Sequence, residues 1–196
     1  MELRPQGSAS LASLFRGPAR FPGTRDHQTF RRPDNQLMNS AVVVREAVRA
    51  IVLNSGGAVL LQHMEAESGR CWILPGGGLA PGESHEQALV RELGEELGLR
   101  LTELGPWVWR RTAEFSFRGR RYRQHERFYL VRAEPFEFDH SGLDEIEQGI
   151  VIGHQWWSTE DIKAATDLIF WPSNLAQLLR PLVIGEVPEE PLDIGD

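Results

Sequence analysis

The sequence has one cysteine, one lysine and no long apolar run. Cys71 is the single cysteine, so the chain cannot form an internal disulfide or a cysteine-based zinc site. No apolar stretch approaches the roughly 20 residues that a membrane-spanning helix needs. The first residues also lack the apolar core of a secretory signal. We therefore expect a protein of the reducing cytoplasm that does not enter a membrane.

An excess of positive charge is also missing. The 196 residues carry a formal net charge of −7, with 41% hydrophobic and 25% charged residues. This composition is ordinary for a globular domain with one sizeable core. A molecule of net negative charge does not attract polyanions through its overall field, so nucleic acid is not an expected partner. An acidic small-molecule substrate would need a local cationic site or a bound metal ion.

The two ends of the chain differ in composition from the middle. Residues 1–40 contain six arginines against three acidic residues, together with frequent proline, glycine and serine. This predicts a disordered, basic N-terminal arm. A transit peptide, a polyanion-binding arm and a true start at Met38 are alternatives that the sequence leaves open. At the other end, residues 186–196 predict a loose acidic tail.

Between the two ends, hydrophobic patterns predict a mixed α/β fold. Helices are predicted after Ser84, at 159–165 and at 172–184. Strands are predicted at 41–54, 58–63, 72–74, 107–117, 122–132 and 150–157. The first two strands should form a hairpin, and 107–132 should form a second, longer one. Strands on both sides of a central helix, followed by terminal helices, predict a sandwich with a mixed sheet.

The helix after Ser84 has clear end signals and one apolar face. Ser84 and Gln87 form a capping-box pattern, and Gly98 is placed to end the helix. Leucines at every fourth position predict the buried face: Leu89, Leu93 and Leu97. These signals predict a stable helix that can present other side chains at fixed positions.

Three glutamates share another face of this helix: Glu92, Glu95 and Glu96. Carboxylates at this spacing repel one another by about 0.3 kcal/mol for each exposed pair. A solvated outer face tolerates this repulsion, whereas a divalent cation would convert it into a set of ligands. Mg²⁺ prefers such hard oxygen donors and leaves positions for water and phosphate. The spacing alone leaves both interpretations open.

The surrounding residues extend this pattern into a longer motif. The stretch from Gly77 to Leu99 resembles the Nudix box, G-x5-E-x7-R-E-U-x-E-E-x-G-U, in which U is a bulky aliphatic residue. The fixed positions are filled by Gly77, Glu83, Arg91, Glu92, Glu95, Glu96 and Gly98, and the aliphatic ones by Leu93 and Leu99. Trp-Ile-Leu-Pro before the box and Gln-Trp-Trp-Ser after it are also similar to the family. We place the domain at 41–185.

The resemblance implies a Nudix-type α/β/α sandwich with a mixed sheet. It also implies Mg²⁺-dependent hydrolysis, with Mn²⁺ able to substitute, of a phosphoanhydride bond in a nucleoside diphosphate linked to another group. Glu92, Glu95 and Glu96 would bind the metal. Gly77 and Glu83 would complete the metal site, and Arg91 would orient a box glutamate. The metal would activate the attacking water and neutralise phosphate charge.

The sequence says less about the substrate and the general base than about the metal site. The signals typical of ADP-ribose and dinucleoside-polyphosphate hydrolases are missing, so a nucleoside triphosphate or related nucleotide is the default substrate. A box glutamate ranks first as general base, followed by Glu126 and Glu145. Arginine suits phosphate binding, and we expect substrate contacts from Arg110, Arg123 and Arg127 on the long hairpin.

Two other functions remain alternatives to hydrolysis of a small nucleotide. A nucleotide-sensing Nudix-fold binding module would keep recognition without turnover, although such modules usually have an eroded box. An RNA-end pyrophosphohydrolase would use the arginine-rich hairpin or the basic arm. A homodimer is also compatible with the family resemblance.

Overall fold

The computed structural model describes most of the chain after the basic arm. The described residues are 42–66, 69–101, 103–117, 120–139, 141–142 and 150–195. The predicted arm at 1–40 lies outside these residues, and so does Glu145, the third candidate for the general base.

The described part of the chain contains an eight-stranded sheet and three helices. Their order is β1 (Val43–Leu53), β2 (Val59–Ala66), β3 (Gly69–Ile73), α1 (His85–Leu97), β4 (Trp107–Phe117), β5 (Arg120–Arg132), β6 (Val151–Trp157), α2 (Thr159–Ala164), β7 (Phe170–Trp171), α3 (Leu175–Val183) and β8 (Leu192–Asp193). The patterned segments of the sequence formed the predicted elements. The two-residue strands β7 and β8 were not predicted.

The predicted hairpin of β1 and β2 is present only at its turn. The register pairs Leu53 with Val59, and the two strands then separate. β1 runs parallel to β5 along its whole length, from Val43 beside Tyr122 to Leu53 beside Arg132. β2 instead pairs antiparallel with β3 on one side and β6 on the other. The turn therefore joins two parts of a strongly mixed sheet.

Two apolar cores lie on the two faces of the sheet, as a sandwich requires. α1 covers one face, where Leu89, Leu93 and Leu97 pack against side chains of β1 such as Val48 and Val52. The opposite core joins α3 to β1, β2, β4 and β5 through Leu175, Leu179, Leu182, Ile51, Leu61, Trp109 and Phe128. The α/β/α prediction is therefore confirmed. None of the helices described here is long and apolar enough to cross a membrane.

The prediction of a loose acidic tail is wrong for its last described residues. β8 pairs parallel with β4, with Leu192 beside Trp109 and Asp193 beside Arg110. The Ile194 N–H donates to the Arg110 carbonyl at 3.0 Å. Without β8, β4 would be an edge strand with unpaired backbone groups. The tail pairs with these groups, and the composition of the tail does not reveal this pairing.

Candidate active site

The ends of α1 are fixed as the sequence predicted. The Ser84 hydroxyl accepts a hydrogen bond from the Gln87 N–H at 3.2 Å, and the Gln87 side chain accepts one from the Ser84 N–H at 2.9 Å. Gly98 ends the helix in the left-handed region, with φ +68°. The helix backbone is therefore held at both ends, which fixes the positions from which its acidic side chains extend.

A glycine-rich loop, residues 75–79, lies between β1 and α1. The Ala50 N–H donates to the Pro75 carbonyl at 2.8 Å, and the Val48 N–H donates to the Gly77 carbonyl at 2.9 Å. These bonds attach the loop to the edge of β1 that does not pair with β5. A Cβ atom on Gly77 would collide with the Glu92 carboxylate. Any side chain at position 77 would therefore have to displace the Glu92 carboxylate from its present position.

Two of the three predicted metal ligands lie beneath this loop. Glu92 is 2% exposed and Glu96 is 1% exposed, whereas the Glu95 side chain is 42% exposed. The Gly76 N–H donates to the Glu96 carboxylate at 2.7 Å. Of the two interpretations that the spacing left open, a solvated outer face does not hold for Glu92 and Glu96, because the loop folds back over the helix.

Arg91 donates hydrogen bonds to acidic side chains of the loop that enters α1 and of α1 itself. Its Nε and one terminal nitrogen donate to the two Glu83 oxygens, both at 2.8 Å. The other terminal nitrogen donates to Glu92 at 2.8 Å and to Glu95 at 3.0 Å. The fifth contact reaches the Gly78 carbonyl at 3.0 Å. All five donors of the guanidinium are thus used, and they connect the loop, the helix and Glu83.

Glu83 is fixed from two directions. It accepts the Arg91 hydrogen bonds, and its carboxylate also accepts one from the Ala80 N–H at 2.8 Å. The hydrogen bonds from Arg91 hold the pKa of Glu83 below its ordinary value, although burial acts in the opposite direction. Glu83 is therefore an ionised anchor for the loop that enters α1.

The donor groups here fit a hard divalent cation in type and charge. Three carboxylates, those of Glu83, Glu92 and Glu95, contact the single guanidinium of Arg91, and the carboxylate of Glu96 accepts from the Gly76 N–H. Oxygen donors and an excess of acidic charge are what Mg²⁺ prefers. Over the residues that the structure describes, no three acidic, histidine or cysteine side chains converge closely enough to form a ready-made metal site. Coordination by all three box glutamates would therefore require side-chain rotation.

Glu126 occupies a different environment, on the face of the sheet opposite α1. Its two oxygens accept hydrogen bonds from Arg49 Nε at 3.0 Å and Arg111 Nε at 2.6 Å. The Gln124 amide donates to it as well, at 2.8 Å. Burial alone would raise the pKa of Glu126, but the two arginines outweigh burial and hold it below its ordinary value. This carboxylate is fully occupied by donors.

Arg49 connects Glu126 to the glycine loop. Besides its bond to Glu126, it donates to the Gly76 carbonyl at 2.9 Å. The backbone at Gly76 is thus held by Glu96 through its N–H and by Arg49 through its carbonyl. Sequence reasoning did not single out Arg49, and the only available signal was a charged residue within an otherwise apolar strand.

The three arginines expected to bind substrate lie on the opposite face from Glu126 and have other contacts. Arg110 lies 3.4 Å from Asp193, and Arg123 donates to Glu114 at 2.8 Å. The Arg127 guanidinium lies over the Trp107 ring, 4.3 Å from its centroid. The structure does not bring these arginines together with the box glutamates. Their role in substrate binding stays a prediction.

Comparison with known proteins adds sequence relatives. The chain is 45% identical over 64 residues to the nucleoside triphosphatase NudI of Enterobacter sp. (strain 638), a match that covers 30% of this chain and 45% of that protein. The protein of the same name from Escherichia coli O1:K1 is 46% identical over 63 residues, with the same coverage. The chain thus spans less than half the length of these curated relatives.

Solved structures resemble the fold over a larger part of the chain. The solution structure of the E. coli ORF135 protein has a TM-score of 0.51 and 27% identity, and the match covers 76% of this chain and 96% of that one. The crystal structure of a MutT NUDIX hydrolase from Burkholderia pseudomallei has a TM-score of 0.50 at 23% identity, over 70% of this chain and 96% of that one. The second likeness concerns the fold alone.

The family model described as the NUDIX domain matches residues 43–179, which is most of the chain. This range contains the glycine loop, the complete box on α1 and the sheet that supports them. The chain therefore belongs to the Nudix domain family.

Proposed function

We propose that the protein is a divalent-metal-dependent hydrolase that cleaves a phosphoanhydride bond in a nucleoside diphosphate linked to another group. A nucleoside triphosphate is the first candidate substrate, and the similarity to proteins named nucleoside triphosphatase supports it. Mg²⁺ is the proposed cofactor, with Mn²⁺ able to replace it.

One observation carries the proposal. Two buried carboxylates of α1, those of Glu92 and Glu96, lie directly against the backbone of Gly76 and Gly77. Burying two acidic groups side by side is costly unless cations or hydrogen-bond donors compensate them. A metal-binding function explains why the fold keeps them in this position.

Each residue of the site then has a proposed task. Glu92, Glu95 and Glu96 would hold the metal, and Gly77 leaves the space that the Glu92 carboxylate needs. Arg91 aims Glu92 and Glu95 and ties them to Glu83. A bound divalent cation would lower the pKa of a coordinated water and neutralise phosphate charge. The protein contributes mainly positioning and charge stabilisation.

For the general base we retain a box glutamate and assign Glu126 a positioning role. A base needs a free oxygen and a pKa near the working pH. Both oxygens of Glu126 already accept hydrogen bonds from cations, and its pKa is lowered. Through Arg49, Glu126 instead fixes the carbonyl of Gly76 above the helix.

A substrate panel tests the proposal. Purified protein is incubated with nucleoside triphosphates, nucleoside diphosphate sugars and capped RNA, with Mg²⁺ or with EDTA, and the products are identified. We expect turnover of at least one nucleotide that EDTA abolishes. Turnover of RNA ends alone would favour the RNA-end hydrolase. Tight nucleotide binding with no turnover on any member of the panel would favour the binding module and contradict the proposal.

The Glu96→Gln variant distinguishes a role of Glu96 in metal binding from a role in stabilising the fold. Glutamine keeps the size of the side chain and an oxygen that can accept the Gly76 hydrogen bond, but it removes the ligand charge. Turnover should fall by about 100-fold or more, while the thermal midpoint changes little. Glu160→Gln, at an exposed position of α2, is the matched control and should retain wild-type activity.

A cytoplasmic location and a homodimer stay predictions.

A further inference from the structure

A polar patch lies next to the glycine loop, on the face of the sheet opposite α1. In the register of β1, β5 and β4, Arg45 lies beside Gln124, and Arg111 lies beside Glu126. Arg49 follows on the same face of β1 and bonds to Glu126. Below this patch the same face becomes the apolar core around Phe128 and Trp109. The patch is therefore where the buried face of the sheet becomes polar.

Cations outnumber anions in this patch. Arg45, Arg49 and Arg111 provide three guanidiniums, and Glu126 provides one carboxylate, which Arg49 and Arg111 already share. Buried charges are normally paired, because an uncompensated one is costly to bury. The patch would accept a further negative charge.

Arg45 is the cation that the patch leaves without a counterion. One of its terminal nitrogens is buried and has no hydrogen-bond partner in the described structure. Burial and the neighbouring Arg49 both lower the pKa of Arg45, whereas Glu126 and Glu92 raise it. Arg45 therefore lies within electrostatic range of both the patch and the proposed metal ligands.

Gln124 supplies an independent sign of a ligand. It is 2% exposed, and its Nε2 donates to Glu126, which fixes the orientation of the amide. Its Oε1 is buried and has no donor in the described structure. A buried acceptor without a partner costs stability, and a hydroxyl group placed beside Arg45 would supply the missing donor.

We propose that Arg45 and Gln124 form a substrate subsite, in which Arg45 binds a phosphate group and Gln124 accepts a hydrogen bond from a neighbouring hydroxyl. This rests on the proposed nucleotide hydrolase, since nucleotides carry phosphate and sugar hydroxyls close together. Guanidinium groups bind phosphate oxygens with strong, charge-assisted hydrogen bonds. The subsite lies on the opposite face of the sheet from Arg110, Arg123 and Arg127, which have partners of their own.

The Arg45→Met variant tests the phosphate contact. Binding of a non-hydrolysable imido analogue of a nucleoside triphosphate is measured by calorimetry with Mg²⁺, together with the thermal midpoint. We expect affinity to fall by about tenfold or more, with an equal or higher midpoint because an uncompensated buried charge is removed. Arg70→Met, at an exposed arginine paired with Glu65, is the matched control and should leave both values unchanged.

The outcomes separate this inference from the proposed function. Wild-type turnover on the substrate panel tests the function, whereas the comparison of Arg45→Met with wild type tests the subsite. Unchanged affinity in the variant would overturn the subsite even if the enzyme is active. If Arg45→Met does not fold, the Arg45 side-chain resonance of the wild type is followed by NMR, with Arg45→Lys for its assignment. A shift on adding the analogue supports the subsite, and no shift overturns it.

Gln124 is tested through the hydroxyl groups of the ligand. Wild type should bind the analogue with sugar hydroxyls about tenfold more tightly than its 2′,3′-dideoxy counterpart, because the latter leaves the Gln124 oxygen unpaired. Gln124→Leu should bind the two analogues equally. Equal affinity of the wild type for both analogues, or a preference that survives in Gln124→Leu, would overturn the assignment of Gln124.

Discussion

Replacing Glu126 with glutamine should strongly destabilise the protein, because it leaves two buried guanidinium groups without their shared anion. The Glu126 side chain is fully buried, and the Arg49 and Arg111 side chains are 7% and 12% exposed. Water therefore cannot replace the lost carboxylate charge. Glutamine keeps the shape of the side chain, so the change measures charge rather than packing.

The size of the effect follows from known behaviour of buried ion pairs. Removing one partner of such a pair costs about 3–5 kcal/mol, since the remaining charge stays buried and unpaired. For a domain of this size, each kcal/mol lowers the thermal midpoint by about 2–4 °C, so we expect a decrease of about 6–20 °C. Glu114→Gln is the control, because its carboxylate pairs with Arg123 on the exposed part of the same hairpin.

The dependence of stability on pH gives a second readout of Glu126. Its pKa is lower in the folded protein than its ordinary value of 4.5. Its stabilising contribution is therefore present above about pH 4.5, the unfolded pKa, and is lost as the pH falls through the folded pKa. Urea unfolding between pH 3 and pH 7, roughly the range in which carboxylates titrate, should show a smaller loss on acidification for Glu126→Gln than for wild type.

Two results would refute this reasoning. An unfolding midpoint equal to that of wild type would show that Glu126 does not compensate the arginines. A stable Glu126→Gln variant that lost the acidic limb of the pH–rate profile would instead identify Glu126 as the general base, as the sequence analysis allowed.

Two further changes probe the box itself. Arg91→Met should lower the free energy of unfolding, measured with urea, by about 2–3 kcal/mol, because four side-chain contacts and the bond to the Gly78 carbonyl are lost together. An unaltered unfolding midpoint would contradict a stabilising role of these Arg91 hydrogen bonds. Gly77→Ala should reduce kcat by about 100-fold, because the added Cβ displaces the Glu92 carboxylate. Gly153→Ala, where a Cβ would meet nothing within 4 Å, is its control, and equal rates for both variants would argue against this role of Gly77.

The features that local sequence determines were predicted well. The capping box of Ser84 and Gln87, the end of α1 at Gly98 and the leucine face of the helix are all present. Each of these depends on residues within one or two helical turns, so a single sequence contains the necessary information. The box residues were identified for the same reason, because their spacing is local.

Contacts between distant segments could not be predicted from the pattern. The parallel pairing of β1 with β5 joins strands that lie far apart in the chain, and its register places Arg45 beside Gln124. Without that register, Arg45 and Arg49 are simply charged residues in a strand. The burial of Glu96 likewise depends on the loop at Gly76, which helical periodicity does not describe.

The central claim is that Glu92 and Glu96 hold a divalent cation against the phosphates of a nucleotide. The most direct test is a crystal of the protein soaked with Mn²⁺ and a non-hydrolysable nucleoside triphosphate analogue, in which anomalous scattering locates the metal. We predict a Mn²⁺ peak bonded to carboxylate oxygens of Glu92 and Glu96 and to a phosphate oxygen of the analogue. A metal peak elsewhere, or a nucleotide with its phosphates remote from α1, would contradict the claim.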